Sequence, residues 1–240
     1  MSEARGADSP PVTRAGLVLG ARRCLPLLPG IVVFGTAFGA AAAQKGLDVW
    51  LTLSLSAFVF AGASQMVALE IWQETWTPAT FLTLVAVTAT INARMALMGA
   101  ALAPHVSAMP RPLQPLNFFL LTDASWLVAM RYHQVDRGTD LGVVLGAGLT
   151  MWVVWIVATL PGFLAGALVE RPEAFGLDLV MPVFFSVMLV PLWKGARAAI
   201  PWLVAGAVSL ATSLLVEGYL FIIVGALSGA LAGALIDERR

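Results

Sequence analysis

The segment LPLLPGIVVFGTAFGAAAA, residues 25–43, runs for nineteen residues without a charge. At 1.5 Å per residue, a helix of that length reaches about 28 Å, close to the roughly 30 Å hydrocarbon core of a bilayer. The segment therefore predicts a membrane-spanning helix, and the rest of the chain is read outward from it. Seven more apolar stretches follow: Leu47–Trp72, Pro78–Leu102, Leu113–Met130, Leu141–Leu168, Leu177–Leu192, Ile200–Val216 and Leu220–Ile236. The stretch Leu177–Leu192 is short and contains Pro182, which suits a broken or re-entrant segment.

Composition agrees. Of 240 residues, 59% are hydrophobic and only 12% are charged, about half the charged fraction of a soluble domain. A chain of this size cannot hide so much apolar surface in its own core, so much of it must face lipid. The spans must be helices, because backbone exposed to lipid has to satisfy its own hydrogen bonds, and the alternating pattern of a membrane β-barrel is missing. The expected fold is all-α, a polytopic membrane bundle of seven to eight spans. Its expected organisation is a tail over 1–24, one transmembrane domain over 25–236 and a short tail over 237–240. The arginine-bearing N-terminus resembles a leader, but the apolar run after it is too long for a signal core.

Arginine and lysine set the expected orientation. With eight spans and the N-terminus inside, ten basic residues fall on the inner side, including Arg131, Arg137 and Arg197. Three fall outside, Lys45, Arg111 and Arg171. Both termini are thus expected in the cytoplasm. Net charge is zero, which gives no reason to expect nucleic acid.

Several chemistries are disfavoured. The segments between spans are too short for a soluble catalytic domain, and no phosphate-cradling glycine loop with its lysine occurs. Cys24 is the only cysteine, so an internal disulfide is excluded. His105 and His133 are isolated in the sequence, far short of the converging ligands a metal needs. No cofactor is expected, and no nucleophile–base pair stands out. The chain reads as a carrier of solute rather than an enzyme.

Charges inside the hydrocarbon need partners, because each costs about 2.5–3.5 kcal/mol near the bilayer centre on insertion scales. Arg94, in the third span, and Asp123, in the fourth, are both deep enough to matter. Neighbouring antiparallel helices would let them pair. Such a pair either locks two helices together or handles solute and protons. Asn92 lies two residues from Arg94 and so points to nearly the opposite side of a regular helix. In the second span, Gly62, Ser64 and Gln65 sit among small residues, which suits either a close packing face or an unwound turn with free backbone groups. Gly35 and Gly39 have the spacing of tight helix packing. Finally, Leu28-Pro29-Gly30 with Gly46-Leu47-Asp48 is echoed by Leu160-Pro161-Gly162 with Gly176-Leu177-Asp178, either an internal repeat or a coincidence of composition.

These pieces together resemble a known family. Leu25-Pro26, Pro29-Gly30, the run Phe34-Gly35-Thr36-Ala37-Phe38-Gly39, the run Val59-Phe60-Ala61-Gly62-Ala63-Ser64-Gln65, Asn92-Ala93-Arg94, Leu97-Met98-Gly99, Leu121-Thr122-Asp123 and Gly176-Leu177-Asp178 are similar to the AzlC family of branched-chain amino acid permeases. The likeness runs from about Leu25 to the C-terminus. Two positions depart from that family's pattern. Met95 stands where a histidine is usual, and Ala124 where a glutamate is usual. The resemblance implies export of leucine, isoleucine, valine and related amino acids across a bacterial cytoplasmic membrane, with a small AzlD-type membrane subunit as partner. The expected solute or coupling site comprises Gly62, Ser64, Gln65, Asn92, Arg94 and Asp123. The competing readings are a scaffold subunit without transport of its own and a passive channel.

Overall fold

The computed structural model describes residues 12–73, 75–168, 186, 193, 195–216 and 219–237. Among these residues all regular structure is helical. Three helices are long and apolar enough to cross a membrane: Arg14–Gln44, Pro78–Val106 and Gly142–Leu168. Shorter apolar helices are Val49–Phe58, Ile200–Leu215 and Leu220–Ile236. The first long helix starts at Arg14 rather than at Leu25 and therefore includes Arg22 and Arg23. The expected span Leu177–Leu192 and the Gly176-Leu177-Asp178 echo lie outside the described residues, Ser186 apart.

The chain divides into two compact units, Met1–Gln65 with Arg94–Glu170, and Met66–Ala93 with Arg171–Arg240. In the first unit, α1 (Arg14–Cys24) continues through a tight turn at Leu25–Leu27 into α2 (Leu28–Gln44). Pro26 and Pro29 sit at the starts of the turn and of α2, where a missing N–H costs least. This long rod packs lengthwise on α8 (Gly142–Leu168), and the two run in the same direction. Gly20 meets Val143, Gly39 meets Thr159 and Phe163, and Gly166 meets Ala40. A Cβ on Gly39 would stand 2.1 Å from the Thr159 carbonyl oxygen, and one on Gly162 would stand 2.1 Å from that of Thr36. Only glycine permits that approach. The expected packing role of Gly35 and Gly39 is met, with Gly162 and Gly166 as the matching pair on α8.

Both helices of this parallel pair start beside one carboxylate. The N–H groups of Thr13 and Gly142 donate to Asp140 at 3.1 and 2.8 Å, and the Thr13 hydroxyl donates to it as well. An acid at two helix N-termini complements both macrodipoles. Burial pushes the Asp140 carboxyl up, but the donors from Thr13 and Gly142 outweigh that and hold it below its ordinary value.

The second apolar stretch is not one helix. α3 (Val49–Phe58) opens on Asp48, whose carboxylate accepts from the N–H groups of Trp50 and Leu51 at 2.8 and 3.0 Å. It runs antiparallel to α8, with the Ser56 and Thr159 hydroxyls 2.9 Å apart. The helix then stops, Phe60 adopts φ +43°, and α4 (Gly62–Ile71) begins. Of the two readings left open for Gly62–Gln65, the unwound turn occurs immediately before it, and the close packing occurs too. A Cβ on Gly62 would come within 2.8 Å of the Trp155 ring and 2.9 Å of Phe34.

The fourth stretch departs furthest from expectation. α5 (Pro78–Val106) is followed by α6 (Leu113–Phe119), which runs back along it, with the Gln114 amide donating to the Met109 carbonyl at 3.0 Å and the Phe118 ring against Gly99. The chain breaks at Leu120–Thr122, and α7 (Asp123–Met130) reverses again. Asp123 lies by Arg94, whereas the ring of His133, just beyond α7, stacks on that of His105 at 5.0 Å. Thus α7 runs parallel to the end of α5. Leu102, Val106 and Met109 share one buried cluster with Ala129, Leu141 and Val144, so α5 ends, the hairpin opens and closes, and α8 begins at one end of this unit. Leu113–Met130 is therefore a helical hairpin rather than one continuous helix. Arg111, before the hairpin, and Arg131 and Arg137, after it, fall toward the same end of this unit, whereas the eight-span reading set Arg111 apart from the other two.

In the second unit, α9 (Ile200–Leu215) and α10 (Leu220–Asp237) form an antiparallel pair matching the last two expected spans. Gly225 and Gly229 pack on Ser209 and Ala205, and the Ser209 hydroxyl donates to the Phe221 carbonyl at 3.0 Å. The Tyr219 hydroxyl donates to the Glu70 carbonyl at 2.9 Å.

Candidate functional site

The tip of the α6–α7 hairpin carries the ion pair. Thr122 caps α7, accepting from the Ser125 N–H at 3.2 Å, while the Ser125 hydroxyl accepts from the Thr122 N–H at 2.8 Å. That reciprocal box holds the chain reversal and sets Asp123 in the first turn of α7, where the helix dipole favours a negative charge. Arg94 projects from the uninterrupted α5, and its Nη2 lies 3.1 Å from Asp123 Oδ2. The expected pair thus forms, though between parallel helices rather than antiparallel ones. From Arg94 to His105, at the entry end, is eleven residues, about 16 Å along α5. That is about half the thickness of a hydrocarbon core. The two side chains are 39% and 33% exposed, so each has open space beside it, while Arg94 Nε is buried and unbonded.

The second break faces the same part of α8. The Phe60 ring lies 6.3 Å from Phe119, and Phe119 lies 6.4 Å from Trp152. The Trp152 indole N–H donates to the Ala57 carbonyl at 2.9 Å, satisfying an acceptor that the break in α3 would otherwise leave to solvent. One residue earlier on α8, the Thr122 hydroxyl reaches the Met151 sulfur at 3.9 Å. Consecutive residues Met151 and Trp152 therefore buttress both interruptions. At the start of α4 the Ser64 hydroxyl donates to the Ala61 carbonyl at 3.0 Å. Gln65 is 3% exposed, and neither atom of its amide has a hydrogen-bond partner.

Of the six expected site residues, Arg94 and Asp123 meet directly, while Gly62, Ser64 and Gln65 share the first turn of α4. Asn92 lies two residues before Arg94 on α5, in the other compact unit. Three features were missed. Asn117, on α6, is 2% exposed with its amide unbonded among the described residues, and the clue is an amide set between Leu116 and Phe118. The break at Leu120–Thr122 had only the Thr-x-x-Ser capping spacing to announce it. His105 and His133, apart in sequence, are brought together by the hairpin, a contact no local signal reports. Burial and the neighbouring His105 push the His133 imidazole below its usual value, against the bond to the Gly138 carbonyl.

Long apolar helices, beside two interrupted ones and an ion pair, define the class, an α-helical membrane protein. The particular family follows from comparison. Residues 26–169 match the family model described as AzlC protein, and the chain belongs to that family. It is 26% identical over 221 residues to the branched-chain amino acid transport protein AzlC of Bacillus subtilis, covering 90% of this chain and 82% of that one. It is 28% identical to an uncharacterized membrane protein of Archaeoglobus fulgidus, covering 93% of each, and 25% identical to one of Helicobacter pylori, covering 71% and 72%. No solved structure matches.

Proposed function

We propose that this chain is a secondary transporter that exports branched-chain or similar hydrophobic amino acids across the bacterial cytoplasmic membrane. Both termini lie on the cytoplasmic side, and a small AzlD-type membrane subunit acts with it. The observation that carries this reading is the Arg94–Asp123 pair, poised at a hairpin tip about 16 Å from the hairpin's entry end and only partly covered. An α-amino acid carries the same two charges in reverse. Its carboxylate competes with Asp123 for the Arg94 guanidinium, and its ammonium takes the Asp123 carboxylate. Each charge then keeps a partner throughout exchange, so neither is left bare in a low-dielectric environment. The first turn of α4, with Gly62, Ser64 and Gln65, supplies further polar groups. Phe119, backed by the buried ring of Phe60, offers apolar surface to the substrate's side chain.

Counterflow of labelled leucine in vesicles reconstituted with and without the small subunit tests the reading. A carrier accumulates label against unlabelled leucine. Leak without exchange identifies a channel, and no movement at all identifies a scaffold. Arg94→Ala and Asp123→Asn are expected to abolish counterflow while the protein remains in the membrane. Wild-type exchange by either removes that residue from the mechanism.

A further inference from the structure

A charged cavity lies away from the hairpin tip, between the α1–α2 junction and the end of α7. Its volume is about 440 Å³, within the roughly 300–1,000 Å³ range of small-molecule sites. It is lined by Arg23, Pro26, Leu27, Leu127, Val128, Arg131 and Asp136. Both walls depart from regular α-helix at this level. On one side is the tight turn Leu25–Leu27, and on the other a widened five-residue turn, Arg131–Val135, closed by the Asp136 N–H donating to the Arg131 carbonyl at 3.2 Å. Widened turns of this type are frequent at functional sites.

The charges in the cavity are not balanced. Arg23 is ion-paired with Asp136, and its guanidinium stands 5.2 Å from the centre of the Tyr132 ring. Arg131 is exposed and makes no ion pair among the described residues. One cation is therefore left over, facing apolar walls of Leu27, Leu127 and Val128. We infer that this cavity is a vestibular subsite for an aliphatic α-amino acid. Arg131 takes the carboxylate, Asp136 shares its second oxygen with the ammonium, and the leucine and valine side chains receive the hydrocarbon. The subsite rests on the transport reading for its place in the cycle. It loads substrate at the end where the hairpin opens, before the Arg94–Asp123 pair is reached.

The test uses full-length protein in vesicles carrying Cys24→Ala and Leu127→Cys, Leu127 being 54% exposed. The rate of thiol modification is followed with leucine, with 4-methylpentanoate and with isoamylamine. Leucine at about four times its dissociation constant is expected to slow modification about fivefold. The carboxylate analogue protects more weakly and the amine does not protect. Adding Arg131→Gln removes protection, and Arg131→Lys retains part of it. Adding Asp123→Asn stops transport without touching protection. Unslowed modification in a protein that still transports leucine overturns the subsite and leaves the transport reading intact. Full protection in the Arg131→Gln protein overturns the carboxylate assignment. Protection that depends on Arg131 in a protein that moves no leucine upholds the subsite and sinks the transport reading instead.

Discussion

Removing one member of the Arg94–Asp123 pair should cost more than removing both. The reasoning turns on where the pair sits. An exposed ion pair in water couples its two mutations by only about 0.2–1 kcal/mol, so they come near to adding. An unpaired charge at the bilayer centre costs about 2.5–3.5 kcal/mol. Both side chains are about one-third exposed, at 39% and 33%, so the full figure is too large. A coupling energy of about 1–2 kcal/mol is the expectation, equal to a five- to thirtyfold change in the folded-to-unfolded ratio. The assay is a double-mutant cycle in lipid–detergent mixtures, comparing Arg94→Gln, Asp123→Asn and the double variant by their midpoints in sodium dodecyl sulfate unfolding. Each single variant should unfold at lower denaturant than the double variant, which loses far less than the sum of the two single losses. Strict additivity, with coupling below about 0.5 kcal/mol, would place the pair in bulk solvent and refute its depth at the hairpin tip.

Two further outcomes follow from the fold. Cysteines placed at Ser107 and at Gln134, one before and one after the hairpin, should react with an impermeant reagent from the same side of the membrane. Reaction from opposite sides would restore Leu113–Met130 as a single crossing. Gly39→Ala should cost about 1–3 kcal/mol or prevent folding, because its methyl group lands on the Thr159 carbonyl, whereas Gly30→Ala, with nothing within 4 Å, should be neutral or slightly stabilising. Equal stability of the two variants in a thermal shift measurement would contradict the close parallel packing of α2 on α8.

Much was legible in the residues themselves. Uncharged runs long enough to cross hydrocarbon announced the membrane and the helices, because lipid offers no hydrogen bonds and little tolerance for charge. Glycine spacing announced tight packing for Gly35 and Gly39. The pairing of Arg94 with Asp123 followed from the same electrostatic argument, since neither survives alone at that depth. Two things stayed hidden. Met151 and Trp152 were not read as anything but apolar residues in a span, because their role is to touch two breaks that lie far away in sequence. His105 and His133 looked solitary for the same reason.

The composition of each segment thus determined which stretches avoid water and which charges demand partners. Direction was decided only by the tertiary structure. A mostly apolar stretch such as Leu113–Met130 has the same hydropathy whether it crosses the bilayer or turns back halfway. What selects the hairpin is the capping box at Thr122 and Ser125 together with the packing of Leu102, Val106, Ala129 and Val144 at one end. Those contacts join residues distant along the chain, and their free energy exists only once the helices have met.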